Sequence, residues 1–357
     1  MATVGIIANP ASGKDIRRLV AHGSVFDNHE KVNIVRRVLS GLEAAGVDKV
    51  FFMPDYFGIV SKALEGVQVR VEARPLEMRL DGTQDDSTLA ARLLAEAGAG
   101  CIVTLGGDGT NRAVSKGSVA VPLMPISTGT NNVFPSMVEG TIAGLAAGVV
   151  ATGAVLIEQA TFPTNRMDIL IEDEPVDLAL VDVAVYDDPF VASRAIWDMD
   201  KVRELVLSRA APSSVGLSSI GGCLYCSQLD DRHGAYIRLA GPEEEEEGCL
   251  EITAPVGPGL VAPVRVSAFR LLDIDDEVEV HLNPSVLALD GEREVQVRRG
   301  QRTSIRLSYR GPRVVDVNRA LQAAARNGYF GPKSESGVDK GGCHLNRLGI
   351  CLKPCQE

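Results

Sequence analysis

Aromatic side chains are scarce in this 357-residue chain: Phe, Trp and Tyr make up 4% of it, with one tryptophan, Trp197. That scarcity, and the lack of a basic segment suited to lie on a bilayer, argues against work on lipid surfaces. Positive charge is also short. Lys and Arg number 36 against 47 Asp and Glu, a net charge of −11, which disfavours nucleic acid and anionic membrane as main partners. No apolar run reaches the ~20 residues of a membrane span. The N-terminus, Met1-Ala2-Thr3-Val4-Gly5-Ile6-Ile7-Ala8, has neither a basic n-region nor a cleavage pattern, so a cytoplasmic protein is expected. The 7 cysteines are an odd number, widely scattered, which excludes a secreted disulfide framework. Cys101 lies in an apolar run and reads as inert packing. Cys223-Leu224-Tyr225-Cys226, with His233 nearby, and the terminal set Cys343, His344, Cys351 and Cys355 match no common zinc spacing. Reduced structural thiols and no protein-held metal are expected.

What is present is organised around Cys101-Ile102-Val103-Thr104-Leu105-Gly106-Gly107-Asp108-Gly109-Thr110-Asn111. The β-branched apolar run has the composition of a parallel strand buried on both faces. The glycines permit a sharp turn and close approach of a ligand to the main chain. Thr110 or Asn111 is placed to cap a following helix, whose free N–H groups and positive dipole end favour an anion. Asp108 is out of keeping with a phosphate cradle, because its charge repels phosphate. Either it merely caps the helix, or it meets a bridging metal or a proton to be abstracted. A second apolar run, Val121–Ile126, leads into Ser127-Thr128-Gly129-Thr130-Asn131-Asn132, whose hydroxyls and amides suit phosphate, ribose or adenine, or an ordinary capped turn. Two such loops at strand ends point to the crevice where open α/β sheets bind ligands.

The spacing of apolar residues predicts an alternating first region. Val4–Ala8 reads as a strand, followed by the loop Asn9-Pro10-Ala11-Ser12-Gly13-Lys14. This loop is not a Walker A motif, since Asp15 follows Lys14, and Ser12 serves equally well as a turn cap. A helix is predicted through Val32, Val35, Val38, Leu39 and Leu42, strands over Lys49–Met53 and Val67–Glu72, and helices over Asp86–Ala97 and Thr141–Val150. Strand–helix alternation specifies a doubly wound, mostly parallel sheet. Beyond Ala151, short alternating runs predict a β-rich, sandwich-like region: Arg166–Ile171, Val176–Val185, Ala235–Leu239, Leu250–Thr253, Arg265–Phe269, Glu277–Leu282 and Thr303–Leu307. One helix, Arg194–Arg209, is expected within it, with Trp197 as an apolar anchor. Glu243–Glu247 reads as a solvated acidic loop, Asp290-Gly291 as a turn and Val317–Ala325 as a last helix. The expected division is 1–150, an α/β nucleotide-binding domain; 151–312, a β-rich substrate or oligomerisation domain; 313–330, a returning helix; and 331–357, a loosely ordered cysteine-containing tail.

Gly106-Gly107-Asp108-Gly109-Thr110 resembles the signature of the superfamily of NAD kinases, diacylglycerol kinases, sphingosine kinases and phosphofructokinases. Asn9–Lys14 looks like that superfamily's first nucleotide-contacting loop. Thr128-Gly129-Thr130-Asn131-Asn132-Val133-Phe134-Pro135 is similar to the acetoin catabolism protein X branch of the ATP–NAD kinases. The resemblance extends to about Ala325, and in the superfamily the last helix packs back on the first domain. It implies an ATP-dependent kinase using Mg2+ or another divalent cation, with Asp108 accepting the proton of the attacking hydroxyl. Asn9, Pro10, Ser12, Gly13, Lys14, Gly106, Gly107, Gly109, Thr110, Asn111, Ser127, Thr128, Gly129, Thr130, Asn131 and Asn132 would hold the nucleotide.

The acceptor side departs from NAD kinases. Their Asn-Glu pair corresponds to Val181-Asp182 in Leu180-Val181-Asp182-Val183, so Asp182 alone is left to grip an acceptor. Their Thr-Gly-Ser-Thr-Ala-Tyr loop has only an echo in Ser213–Ser219. NAD is the leading acceptor. The competing readings are another hydroxyl metabolite linked to acetoin catabolism, and a regulatory protein that binds ATP or NAD without turnover. A homodimer or homotetramer is expected.

Overall fold

The computed structural model describes residues 1–13, 26–129, 131–188, 190, 199–225, 232–241 and 248–331. Strands β1 (Thr3–Ala8), β2 (Lys49–Phe52), β3 (Glu72–Pro75), β4 (Cys101–Gly106) and β5 (Leu123–Ser127) run parallel in the spatial order β3-β2-β1-β4-β5. Two short strands, β6 (Thr161–Phe162) and, much later in the chain, β18 (Val314–Val315), extend the β5 edge. Both faces are covered, which is why the central strands read as unbroken apolar runs. Val4, Ile6, Val103 and Leu105 enter one core, while Ile7, Ile102 and Leu123 enter the other. Cys101 is fully buried among them, and burial pushes its thiol up to about 12, as expected of an inert packing residue.

Helices Asn28–Ala44, Ile59–Glu65, Asp85–Glu96 and Asp108–Gly117 connect successive strands, and helix Gly140–Ala151 follows β5. Gly41 and Gly144 let two of these helices meet backbone to backbone. A Cβ on Gly41 would lie 2.3 Å from the Thr141 carbonyl oxygen, and one on Gly144 2.2 Å from that of Val38. Helix Val317–Arg326 returns to this layer. Asp316 caps it by accepting from the Arg319 N–H, Ala320 and Ala324 are fully buried in the first core, and the Tyr329 hydroxyl donates to the Ala45 carbonyl at 2.6 Å.

The remaining strands form two antiparallel sheets. One contains β7 (Arg166–Ile171), β8 (Glu174–Ala179), β14 (Glu277–Glu279) and β17 (Thr303–Ser308), in the order β14-β17-β7-β8. The other contains β9 (Asp182–Tyr186), β10 (Val202–Leu207), β11 (His233–Leu239), β12 (Leu250–Gly257), β13 (Leu260–Asp273), β15 (Ser285–Leu289) and β16 (Glu292–Val297), in the order β12-β13-β11-β10-β9-β15-β16. Met167, Ile169, Ile305 and Leu307 of the first meet Val183, Val185, Val206, Leu287 and Leu289 of the second in one core, a two-sheet packing.

The structure corrects the sequence reading in several places. The third parallel strand is Glu72–Pro75, not Val67–Glu72; Val67, Val69 and Val71 pack on the core before the chain enters the sheet. Val176–Val185 is two strands in different sheets, divided where the Asp290 carboxylate accepts the N–H groups of Leu180, Val181 and Asp182. The expected helix Arg194–Arg209 is replaced over its second half by Val202–Leu207, a central strand paired on both sides. Pairing there overrides helical spacing. Residues 194–198 of that helix, with Trp197, lie outside the described residues, as do Glu243–Glu247, Cys226 and residues 332–357, and Met199–Lys201 is a single 3-10 turn. Helices Ile59–Glu65 and Ser218–Leu224 were not expected. Among the described residues no helix is long and apolar enough to cross a membrane.

Candidate functional site

Three loops meet at the carboxyl ends of β1, β4 and β5. The first begins at Asn9, whose N–H donates to the Leu105 carbonyl at 3.1 Å and whose Nδ2 donates to Thr110 Oγ1 at 2.9 Å. Ser12 Oγ donates to the Asn9 carbonyl and lies 2.9 Å from Thr128 Oγ1 of the third loop. Gly13 has φ +78, and a Cβ there would fall 2.8 Å from the Thr128 carbonyl oxygen. Only glycine fits both constraints. Pro10 lies in the turn between Asn9 and Ser12. Lys14 and Thr130 lie outside the described residues.

Lys31, one turn into the helix after this loop, is completely buried. Its Nζ donates to the carbonyls of Asn9 at 2.8 Å and Ser12 at 2.6 Å, and to Asn28 Oδ1 at 3.0 Å. An ammonium thus fastens the first loop from below. Sequence reasoning missed it, although a lysine among Val32, Ile34 and Val35 on a buried helix face was a usable signal.

The second loop is dictated by close packing. A Cβ on Gly106 would lie 2.4 Å from Thr110 Cβ, and one on Gly107 2.7 Å from Asn132 Oδ1. Gly107 is the N-cap of the ten-residue helix Asp108–Gly117 and brings no side-chain cap. This corrects the expectation that Thr110 or Asn111 caps the helix. Both lie inside it, Asn111 held by Thr104 Oγ1 at 2.7 Å and by its own bond to the Gly107 carbonyl at 2.9 Å. In the third loop Ser127 Oγ donates to the Gly129 carbonyl and accepts from Asn132 Nδ2, both at 2.8 Å. Asn131 follows at the same bend.

Asp108 does not cap its own helix. Its Oδ1 accepts the N–H of Phe134 at 2.7 Å and of Val133 at 3.0 Å, pinning the end of the third loop. Burial, and then the charge of Asp290, push its carboxyl up to about 7, while the two N–H bonds and the charge of Arg209 pull it back. That value matches a group able to take a proton near neutrality.

The antiparallel sheets supply charged neighbours that the sequence reading missed. Asp290 sits in the β15–β16 turn with φ +51, followed by Gly291 at +81, the positive pair that a tight hairpin needs. Its buried carboxylate accepts the N–H of Val181 at 2.8 Å and those of Leu180 and Asp182, and lies 3.8 Å from Arg112 Nε. Desolvation raises its pKa against these favourable contacts. Arg112, four residues after Asp108 on the same helix, also reaches Asp177, Gln84 and Glu294 at 3.1–3.3 Å. Its position one turn beyond the glycine motif was a signal that could have been used.

Arg209, just past β10, is 3% exposed, and its guanidinium carbon lies 4.9 Å from the centre of the Phe134 ring. Burial lowers its pKa to about 10, opposed by Asp108 and Asp290. Asp182 is buried at the head of β9, next to the Asp290 turn. Val181 contributes no polar side chain, since it is fully buried in a cluster that includes Phe134, Leu178 and Leu180. The structure therefore brings Asn9, Ser12, Gly13, Gly106–Asn111 and Ser127–Gly129 together with Asn132, and adds Lys31, Arg112, Arg209 and Asp290.

A model of the ATP-NAD kinase N-terminal domain matches residues 4–154, and a model of the acetoin catabolism protein X C-terminal domain matches residues 165–310. Acetoin catabolism protein X of Cupriavidus necator is 40% identical over 303 residues, covering 82% of this chain and 84% of that protein. Among solved structures, yeast NADH kinase complexed with NADH is similar with a TM-score of 0.48 at 13% identity, over 94% of this chain and 90% of that one. By its matches in both halves and its identity to that relative, this chain belongs to the acetoin catabolism protein X family.

Proposed function

We propose that the chain is an ATP-dependent kinase that transfers a phosphoryl group to a hydroxyl of a small molecule, with NAD the leading acceptor. The match of residues 4–154 to an ATP-NAD kinase domain supports this reading. The observation that carries it is Asp108: a half-buried carboxylate, poised near neutrality, at the head of a helix that has no side-chain cap.

The loops offer neutral hydroxyls, amides and main-chain N–H groups at a helix start, a donor set that fits nucleotide phosphates. When bound, ATP supplies the phosphoryl group. In this reading Asn9, Pro10, Ser12, Gly13 and Lys14, the glycines at 106, 107 and 109, Thr110 and Asn111 hold its phosphates, and Ser127–Asn132 hold the nucleoside. Asp108 takes the proton from the attacking hydroxyl and Asp182 orients the acceptor. Among the described residues no three of His, Cys, Asp and Glu converge on a possible metal site. In this reading a divalent cation would take its ligands chiefly from the donor phosphates. The nucleotide half is 1–150 and the acceptor half 151–312, with 313–330 tying the second to the first and 331–357 a tail. A cytoplasmic homo-oligomer completes the proposal.

ADP release measured across a panel of hydroxyl metabolites tests it. Turnover with NAD or another alcohol supports the kinase reading, and nucleotide binding with no ADP release from any acceptor overturns it. One observation favours a non-catalytic ATP- or NAD-binding regulator instead: both N–H groups at Val133 and Phe134 already occupy the Asp108 carboxylate. Binding without turnover is the outcome that reading requires.

A further inference from the structure

Asn9, Ser12, Ser127 and Asn132 of the strand-end loops are hydrogen-bonded within the protein, but the guanidinium of Arg209 has no such partner. Its Nε, Nη1 and Nη2 are all buried and none has a hydrogen-bond partner. A buried cation left in this state is costly, and native interiors rarely leave such donors unmet. Arg209 is also not placed at random. Its guanidinium lies over the ring of Phe134, and the N–H of that same residue donates to Asp108. One residue thus sets the position of both the carboxylate and the cation.

We propose that Arg209 is the anion receptor of this site, and that its planar fork receives the oxygens of a phosphate group lying beside Asp108. The other buried arginine cannot serve, because Arg112 is engaged by Asp177, Glu294, Gln84 and Asp290. Arg209 has five N–H donors and no acceptor competing for them, the arrangement that binds phosphate bidentately. It stands at the end of β10, a strand of the antiparallel sheets, and over Phe134, beside the carboxylate that would activate the acceptor. The phosphate it meets is therefore either the group in transfer or one carried by the acceptor. The assignment deepens the kinase reading, yet anion binding itself requires no turnover.

The probe is inorganic pyrophosphate, followed by titration calorimetry and thermal unfolding of the full chain, beside ATP and NAD. Arg209→Met keeps the length and apolar stem while removing the charge; Arg209→Lys keeps the charge and loses the fork. The expected result is a loss of about 10–100-fold in affinity for a phosphate ligand in Arg209→Met, and a smaller loss in Arg209→Lys. Loss of pyrophosphate and ATP binding assigns the donor's phosphate, and loss of NAD binding alone assigns the acceptor's. Pyrophosphate should raise the unfolding temperature of the wild type and not of Arg209→Met. A folded Arg209→Met that binds all three ligands as the wild type does overturns the proposal. So does a wild type that binds none of them. Should Arg209→Met fail to fold, unchanged binding by Arg209→Lys overturns it equally. Arg209-dependent binding in a protein that releases no ADP would sink the kinase reading and leave this one standing.

Discussion

The two sides of the site are built on opposite electrostatic plans. The strand-end loops of the parallel sheet use neutral partners, Asn9 with Thr110, Ser12 with Thr128 and Ser127 with Asn132, each pair satisfied within the protein. The antiparallel side uses buried charge: Arg112 is shared among several carboxylates, Asp290 holds the β8–β9 crossing, and Arg209 stands without hydrogen bonds. Neutral pairs fix a shape at little electrostatic cost. Buried charges cost more and respond strongly to a new neighbour. Asp108 belongs to both plans, since its N–H bonds come from the loop and its pKa is set partly by Asp290 and Arg209.

The largest expected effect comes from Asp108. Asparagine preserves one carbonyl oxygen for the Val133 and Phe134 N–H groups but cannot accept a proton. Asp108→Asn should therefore keep nucleotide binding and lower turnover by about 10²–10⁴-fold. Full activity in a folded Asp108→Asn would mean that the carboxylate only pins the third loop.

Next is Arg112, whose loss leaves Asp290 buried without its ion-pair partner and takes one from Glu294, while Asp177 keeps Lys116. Breaking a buried pair from one side costs about 3–5 kcal/mol, and the partial exposure of Asp177 and Glu294 places Arg112→Met near the lower end. Urea unfolding of the variant measures this. A loss under about 1 kcal/mol would show that the charge cluster is not holding the two layers together.

A third, smaller effect is a pH dependence of stability. The folded pKa of Asp108 is about 7, against about 3.9 for an unperturbed aspartate. Between those values the folded chain holds a proton that the unfolded chain has lost, so stability falls as pH rises through that window. Asp290, also shifted upward, adds to the same slope. Denaturant midpoints taken from about pH 4.5 to 8 should decline from this source, and Asp108→Asn should flatten the decline. An equal slope in the variant would place the titration elsewhere.

The contrast between the two plans also explains what was legible in the sequence. Strand ends, glycine turns and hydroxyl-rich loops are local grammar, so Thr3–Ala8, Cys101–Gly106 and the three loops could be read from neighbouring residues. The charged side cannot be read that way. Arg112, Asp177, Asp290 and Glu294 come from four separate elements, and only tertiary contact shows them to be one cluster. Arg209 was assigned to a helix that is in fact a sheet-centre strand and the bend after it. Val181 was compared with a substrate-gripping residue, but its side chain faces the core and its polar groups are main-chain ones, the N–H donating to Asp290 and the carbonyl accepting from Ser208. Spacing along a strand reveals alternation, not which face a neighbouring sheet will cover.

The smallest effect tests the neutral plan itself. Ser12 Oγ and Thr128 Oγ1 meet at 2.9 Å and join the first loop to the third. If the loops are held by ordinary neutral hydrogen bonds, a double-mutant cycle with Ser12→Ala and Thr128→Val should return a coupling of about 1 kcal/mol in unfolding free energy. Each single variant should cost somewhat more than that, because Ser12 also donates to the Asn9 carbonyl and Thr128 is left buried without its partner. Salt should leave the coupling unchanged, since no net charge is involved. A coupling that falls steeply with ionic strength would show that buried charge, through Lys31 beneath the loop, governs this side as well, and the division between the two plans would fail.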